Sequence, residues 1–294
     1  MSIQSTIDAT AGTLSPSLAR VAAFIRADPA AVVENTINEI ADLCDTSVAS
    51  VVRFCRAIGL TGYAQLRVAL AAEMGKERAQ FGDWMSFGSD ITDADSLPDI
   101  VAKIRSREIL AIEETLAAVD IDALRRASTL ISEASRVLLY GVGASQFIAA
   151  DLGHKLLRIG RPVVVLSDPH EAWACAALPH PGTVAVAFSH RGETYETNRF
   201  VQIARESPAA TIGVTSVRES TLGQQLGIVL TTQARETDFR AGAMVSRIAQ
   251  LALVDCLFTA IAQGRYQETL EALRVTRVAT HGSGRQHSLR VLGW

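Results

Sequence analysis

Two short segments carry hydroxyls, glycines and backbone amides at a spacing suited to holding an anion. The first is Gly141-Val142-Gly143-Ala144-Ser145, directly after the β-rich run Val137 to Tyr140. Its glycines let backbone amides approach a phosphate. Ser145 can donate at the start of the following helix, where free amides and partial positive charge collect. The second is Ser189-His190-Arg191-Gly192-Glu193-Thr194, directly after the run Val184 to Phe188. Ser189 and Thr194 supply hydroxyl donors, and Gly192 permits a tight turn. Arg191 adds a guanidinium, which binds phosphate or carboxylate through two parallel hydrogen bonds. It can point into a pocket toward an extra anionic group, or outward to pair with Glu193 or Glu196. One glycine-rich loop often serves a turn only; two hydroxyl-bearing loops at one sheet edge are more specific. A dinucleotide is the competing reading, with Gly141 and Gly143 as its first two glycines and Asp168 as its ribose acid. Against it, Gln146 stands where a third glycine would allow close helix–strand packing.

A third constellation is suited to reading nucleic acid. Residues Ile37 to Leu60 form two short helical patterns around a polar turn, the pattern of a helix-turn-helix. Thr36 followed by Glu39 fits a capping box. Ile37, Ile40, Ala41 and Cys44 then share one face. Asp45, Thr46 and Ser47 break the pattern, and Ser47 can cap the next helix. There Val48, Val51, Val52 and Cys55 are expected inward. Ala49, Ser50, Arg53 and Ala57 are expected outward, with Arg56 beside them. Small outward residues let the helix approach base edges, and Arg53 can pair with a guanine or a phosphate. Ser47, Ala49, Ser50, Arg53 and Arg56 are therefore the candidate DNA contacts, and Gly59 closes the helix as a left-handed cap. The same periodicity also fits a helical pair in an ordinary core. From Leu14 to Lys76 there are six cations and six anions, so no broad basic footprint supplies affinity. Binding then depends on a few arginines and on dimerisation.

The elements that must position these residues fall into two patterns. Ser17 to Ala27 is amphipathic through Leu18, Val21, Ala22 and Ile25 and stops at Asp28-Pro29. Thr61 to Glu77 is a further helix with Tyr63, Leu66 and Leu70 inward. Residues 81–97 are polar and glycine-bearing and are expected as a linker. Pro98 to Ala118 and Ile121 to Glu133 follow as helices. From Arg136 onward, β-rich runs alternate with helical stretches: Val137 to Tyr140, Val163 to Leu166, Val184 to Phe188, Thr211 to Thr215 and Ile228 to Thr231. This predicts a parallel sheet with crossover helices on both faces. Ala243 to Gln263 is a long apolar helix closing the domain. The expected organisation is an all-α helix-turn-helix domain over residues 1–80 and a linker over 81–97. A doubly wound α/β domain follows over 98–279, with a mobile tail over 280–294.

Composition narrows the function. The chain has 294 residues, 48% of them hydrophobic, and a net charge of −3, which favours neither bulk polyanion binding nor a membrane surface. No apolar run is expected to reach spanning length, and the amino terminus lacks signal-peptide character. A cytoplasmic protein without membrane association follows. Cys44, Cys55, Cys175 and Cys256 match no metal-ligand spacing and are expected as buried free thiols, so no metal and no cofactor is called for.

These residues also carry a resemblance. Leu14-Ser15-Pro16-Ser17 through Asp28-Pro29, then Val51-Val52-Arg53-Phe54-Cys55-Arg56 and Gly59-Leu60-Thr61-Gly62-Tyr63, resemble the amino-terminal domain of RpiR-family transcriptional regulators. Members of that family carry a carboxy-terminal SIS (sugar isomerase) domain that binds phosphosugars, and the resemblance spans roughly residues 14 to 265. The two loops resemble the phosphosugar motifs Gly-x-Gly-x-Ser and Ser-x-Ser-Gly-x-Thr. The resemblance implies that Ser145, Ser189 and Thr194 hold a phosphate. Arg191 stands where the family pattern has its second serine. Phe239 to Met244 and Arg247 to Leu251 resemble the closing helix, which makes Glu236 and Arg240 pocket or dimer candidates, with a surface ion pair as the plainer reading. SIS domains also occur in aldose–ketose isomerases, which need a base near a sugar carbon. His154, His170, His190, Glu193 and Glu236 qualify by type alone. A metabolic isomerase has no use for a helix-turn-helix, so no catalytic residue is assigned. The expected function is a DNA-binding regulator whose binding to a double-stranded operator is controlled by a sugar phosphate, acting as a homodimer or homotetramer. The alternative is a phosphosugar isomerase.

Overall fold

The computed structural model describes residues 3–10, 14–81, 91–178, 180–234 and 243–281. They fall into two compact units: Met1–Val119 with Ser216–Arg218 and Thr231–Leu253, and Asp120–Thr215 with Glu219–Leu230 and Val254–Trp294.

The first unit begins with six helices, α1 (Ile3–Thr10), α2 (Pro16–Ala27), α3 (Pro29–Glu34), α4 (Ile37–Leu43), α5 (Val48–Ala57) and α6 (Tyr63–Phe81). Each boundary has a local cause. Asp28 ends α2, and its carboxylate accepts from the Ala31 amide at 3.1 Å to start α3, with Pro29 in the first turn where no amide is needed. The Thr36–Glu39 capping box starts α4, and the Ser47 hydroxyl accepts from the Ser50 amide to start α5. Val21, Ile25, Val32, Ile40, Val51, Phe54, Leu66 and Leu70 meet in one core. The Tyr63 phenol donates to the Val32 and Asn35 carbonyls, both at 2.9 Å, and ties the start of α6 to the end of α3. Burial pushes that phenol up to about 12. Further on, α7 (Leu97–Ala117) starts at a Ser96–Asp99 capping box. Its Ala111 packs with Ala234, Val245 and Ala249, and its Thr115 hydroxyl bonds both the carbonyl and the amide of Gln233.

The second unit opens with α8 (Ile121–Glu133) and then alternates. The order is β1 (Arg136–Gly141), α9 (Ala144–Arg158), β2 (Val163–Leu166), α10 (Pro169–Ala177), β3 (Thr183–Phe188), α11 (Tyr195–Glu206), β4 (Ala210–Thr215), α12 (Thr221–Gln225) and β5 (Ile228–Thr231). The sheet has five strands in the order β2-β1-β3-β4-β5. Strand β1 pairs in parallel with β2 and β3, and β3 with β4. Strand β3 is buried along its whole length, which is why it reads as an unbroken apolar run rather than an alternating one. Leu138, Tyr140, Ala185 and Ala187 meet Ala172 and Ala176 of α10 and Phe200, Val201 and Ala204 of α11.

Two features differ from the sequence reading. Helix α13 (Met244–Gly264) is, by length and composition, apolar enough to cross a membrane, contrary to the expectation that no run reaches that length. In the structure Val245, Ala249, Leu253, Val254, Leu257 and Ile261 of this helix are buried. A last helix, α14 (Tyr266–His281), was not anticipated. Its inward face, Thr269, Ala272, Leu273 and Thr276, is half polar, while Tyr266, Leu270, Val275 and Val278 are exposed, so its apolar residues do not mark the buried side. It also occupies the first two positions of the expected tail; residues 282–294 lie outside the described residues.

Candidate functional sites

Parallel pairing of β1 with β3 sets Gly141 opposite Phe188, so the two anion-suited loops leave neighbouring strands side by side. In the order β2-β1-β3-β4-β5 the winding reverses between β1 and β3, and ligands of open α/β sheets bind outside the strand ends at such a point. In the first loop Gly143 has φ +60° and ψ −124° and precedes α9. An added Cβ there would meet nothing within 4 Å, so the backbone angle, not crowding, calls for glycine. The Ser145 amide donates to the Val142 carbonyl at 3.2 Å, and Ser145 itself is half-buried at the start of α9. Gln146 fills the third-glycine position. With its amide nitrogen turned toward the sheet it donates to the carbonyls of Gly141 at 2.8 Å and Leu166 at 3.0 Å, joining the ends of β1 and β2. The close helix–strand approach that a third glycine would serve occurs instead at Gly153, where a Cβ would lie 2.2 Å from a Val165 methyl.

The second loop is held by its own side chains. Ser189 is only 3% exposed. Its hydroxyl accepts from the Gly192 amide at 3.2 Å and pairs with the Thr194 hydroxyl at 3.1 Å. Gly192 has φ +72°, and a Cβ there would lie 2.0 Å from Ser220 Oγ. Its carbonyl accepts from the Leu222 amide and from Asn198 Nδ2. Glu193 accepts from the amide and hydroxyl of Thr221 at 2.9 and 2.7 Å, so its carboxylate is engaged at the start of α12 rather than with Arg191. Arg191 is exposed. Sequence reasoning missed Gln146, Asn198, Ser220 and Thr221 as supports of these loops; Ser220 and Thr221 are too far along the chain to leave a local signal. Burial raises the Tyr140 phenol near the end of β1, and Glu196 and Asp168 add to that rise. Asp168 caps α10 through the His170 and Glu171 amides. His154 is exposed on α9, and His170 packs edge-on against Trp173. Glu236 and Arg240 lie outside the described residues.

In the helix-turn-helix, the turn is built by a Schellman motif. Asp45 sits at φ +45°, the Thr46 amide donates to the Ala41 carbonyl at 2.9 Å, and the Asp45 amide donates to the Asp42 carbonyl at 3.0 Å. Arg20 of α2 caps the same end, donating to the carbonyls of Cys44 at 3.2 Å and Asp45 at 2.7 Å. A second Schellman closure with Gly59 at φ +83° ends α5. The faces of α5 differ from those expected. Ser50, Val51, Phe54 and Cys55 are buried, Val48 is 38% exposed and Val52 is half-buried. Ala49, Arg53 and Arg56 face outward, as expected. Ser50 does not: it sits one turn before Phe54 and follows that large ring inward, and its hydroxyl accepts from Arg53 Nη2 at 3.0 Å. Val48 takes an outward place in the first turn. Cys44 and Cys55 are buried thiols, raised by burial, Cys55 to about 11, whereas Cys175 and Cys256, expected buried as well, are only half-buried.

A helix-turn-helix head in one chain with a doubly wound domain that offers anion-suited loops at its switch point is the architecture of a transcriptional regulator. Comparison with known proteins gives the family. The helix-turn-helix domain of the rpiR family matches residues 1–77, and the SIS domain matches residues 130–260. The chain belongs to the RpiR family of transcriptional regulators. It is 35% identical over 264 residues to an HTH-type transcriptional regulator of Caldanaerobacter subterraneus, covering 90% of this chain and 92% of that one. It is 32% identical over 267 residues to the HTH-type regulator YbbH of Bacillus subtilis, covering 90% and 92%. Among solved structures, the NanR protein of Vibrio vulnificus, complexed with ManNAc-6P, superposes with a TM-score of 0.60 at 24% identity, over 95% of this chain and 98% of that one. The sugar isomerase domain of an RpiR transcription factor from Sphaerobacter thermophilus superposes at 0.56 and 22% identity, over 62% and 99%.

Proposed function

We propose that this regulator binds a phosphorylated sugar at the loops 141–145 and 189–194, and that the bound sugar sets its occupancy of a DNA operator. The observation that carries the reading is the pairing of Gly141 with Phe188, which brings two hydroxyl-bearing loops to the one sheet edge where such folds take ligands. The phosphate lies at the start of α9, with donors from Ser145, Ser189 and Thr194, and for Ser189 and Thr194 their mutual hydrogen bond opens to admit it. Arg191, exposed on the same loop, is placed for an additional anionic group such as a sugar-acid carboxylate. The ManNAc-6P held by NanR supports a phosphosugar as the ligand class. We read the protein as a binder rather than an isomerase because the chain carries a helix-turn-helix head, and Glu193, the carboxylate of the second loop, is engaged with Thr221 at the start of α12. It works in the cytoplasm as a homodimer or homotetramer on a palindromic operator, because the balanced charge of the head makes one copy a weak DNA binder.

The test is a thermal-shift screen of phosphosugars against the full chain, followed by fluorescence anisotropy on a duplex selected from a random pool. A ligand at a hundred times its Kd adds about 2.7 kcal/mol of stability. Ser145→Ala with Ser189→Ala is expected to abolish both the shift and the ligand's effect on DNA, with DNA affinity retained. An undiminished ligand response in the double variant overturns the assignment. Sedimentation showing a strict monomer on tightly bound DNA overturns the assembly.

A further inference from the structure

The exposed arginine of α5 is held by a buried hydroxyl. Ser50 is 3% exposed, on the face that also carries Val51 and Phe54. Its Oγ stands 3.0 Å from Arg53 Nη2 and 3.1 Å from Ser47 Oγ. A guanidinium only donates, so Ser50 accepts from Arg53, and in its bond with Ser47 either hydroxyl can be the donor. Ser47 in turn accepts the Ser50 amide at 3.2 Å as it caps the helix. Arg53, Ser50 and the Ser47 cap are thus joined in one hydrogen-bonded chain at the start of the helix.

We propose that Ser50 is a positioning residue for DNA reading: it touches no base, and it fixes Arg53 so that its remaining donors meet a guanine edge in the major groove. This rests on the placement of α5 in the groove. Arginine carries a long, rotamer-rich side chain, and freezing it on binding opposes affinity. A bond at Nη2 fixes the far end of that side chain before DNA arrives. The guanidinium has five donors, and a bidentate contact with guanine O6 and N7 takes two, so one nitrogen can serve Ser50 without loss of the base contact. The effect belongs to sequence discrimination. Non-specific binding comes from phosphate contacts, which tolerate a mobile arginine.

The experiment uses the full chain and a duplex selected by it from a random-sequence pool, with guanines replaced singly by 7-deazaguanine, which lacks the N7 acceptor. In the wild type one such replacement weakens binding, and in Arg53→Ala that sensitivity vanishes. Ser50→Ala is expected to weaken the selected duplex about threefold to tenfold, within the range for immobilising one long side chain, and to blunt the 7-deazaguanine penalty. Affinity for a random duplex stays unchanged. Ser50→Cys, which keeps the volume but is a poor acceptor, behaves like Ser50→Ala, and thermal unfolding of each variant reports on folding. Ser50→Ala added to Arg53→Ala has no further effect. If it weakens binding equally in both backgrounds, Ser50 acts through packing and the inference fails. If Arg53→Ala lowers specific affinity and Ser50→Ala does not, the inference fails while the placement of α5 stands. If Arg53→Ala itself leaves the selected duplex unaffected, both fall.

Discussion

Gly192→Ala is the sharpest test of how the second loop is built. Two contributions follow from the geometry. At φ +72° a residue with a Cβ is strained by about 1–2 kcal/mol. The new methyl would also lie 2.0 Å from Ser220 Oγ, 2.5 Å from Ser220 Cβ and 3.2 Å from Thr215 Oγ1. Rotating the Ser220 hydroxyl relieves only the first contact. The Cβ is fixed to the backbone, so α12 or the loop must move, and overpacking of this kind costs about 1–3 kcal/mol. The expected loss is about 2–5 kcal/mol, read as a lower urea midpoint at an unchanged slope. The ligand response is lost with it, because Ser189 and Thr194 move with the loop. Ser220→Gly removes both clashing atoms, and glycine replaces a serine cap at a cost of only a few tenths of a kcal/mol. The pair Gly192→Ala with Ser220→Gly should therefore recover about 1–3 kcal/mol, leaving the backbone strain. A loss below about 1 kcal/mol for the single variant, or no recovery in the pair, refutes the reasoning.

Four further outcomes are expected. Tyr63→Phe leaves the Val32 and Asn35 carbonyls without their donor and should cost about 1–3 kcal/mol in urea. Because burial holds the folded phenol near 12 against about 10 in the unfolded chain, its stabilisation is complete below about pH 10 and lost as pH rises through about 12. The wild type should weaken more steeply than Tyr63→Phe over that window. Arg20→Ala removes two hydrogen bonds to the turn, one part-buried and one exposed, and should cost about 1 kcal/mol in thermal unfolding, and Asp45→Gly in the same background should return up to about 1 kcal/mol by relieving the positive φ. Thymine-to-uracil replacement in the selected duplex should weaken the wild type at one position by about 0.8 kcal/mol, one buried methyl, and the Val48→Ser variant should not sense that change; equal sensitivity in both removes Val48 from the base-reading surface. Arg191→Ser should weaken a phosphorylated sugar acid by about 1.5–3 kcal/mol in calorimetry and a sugar bearing only a phosphate by less, and equal losses place Arg191 outside the pocket.

What was legible in the sequence was what is local. The Thr36–Glu39 box, the Ser47 cap and the Gly59 closure each act within a few residues, and all form as read. Strands β1, β3 and β4 were legible because sheet positions buried on both faces need runs of apolar residues, and the half-exposed β2 through its β-branched Val163 to Val165. The turn of α5 about its axis was not. Val48, Val51 and Val52 are equal in apolar character, so the pattern alone leaves the orientation open. Phe54 decides it as the largest buried side chain of the helix, and Ser50, one turn before it, is carried inward while its hydroxyl stays bonded to Ser47 and Arg53. The two ligand loops could be named from their residue types and their place after strands. Their bracing by Thr221 and Ser220 could not, because only the sheet brings those residues together.

The pairing of Arg136 with Thr183 has a consequence for how the chain is made. Contacts in the helical head are local, which favours fast folding, and the head leaves the ribosome first. Strand β1 is synthesised before either of its neighbours: β2 can cover one edge once it emerges, but the edge that β3 takes stays open until residue 188 is made. The chain thus passes through a stage in which a finished helix-turn-helix trails an apolar strand with an open edge. Ribosomal truncations ending between β1 and β3 should be the ones that aggregate, while those ending before β1 stay soluble.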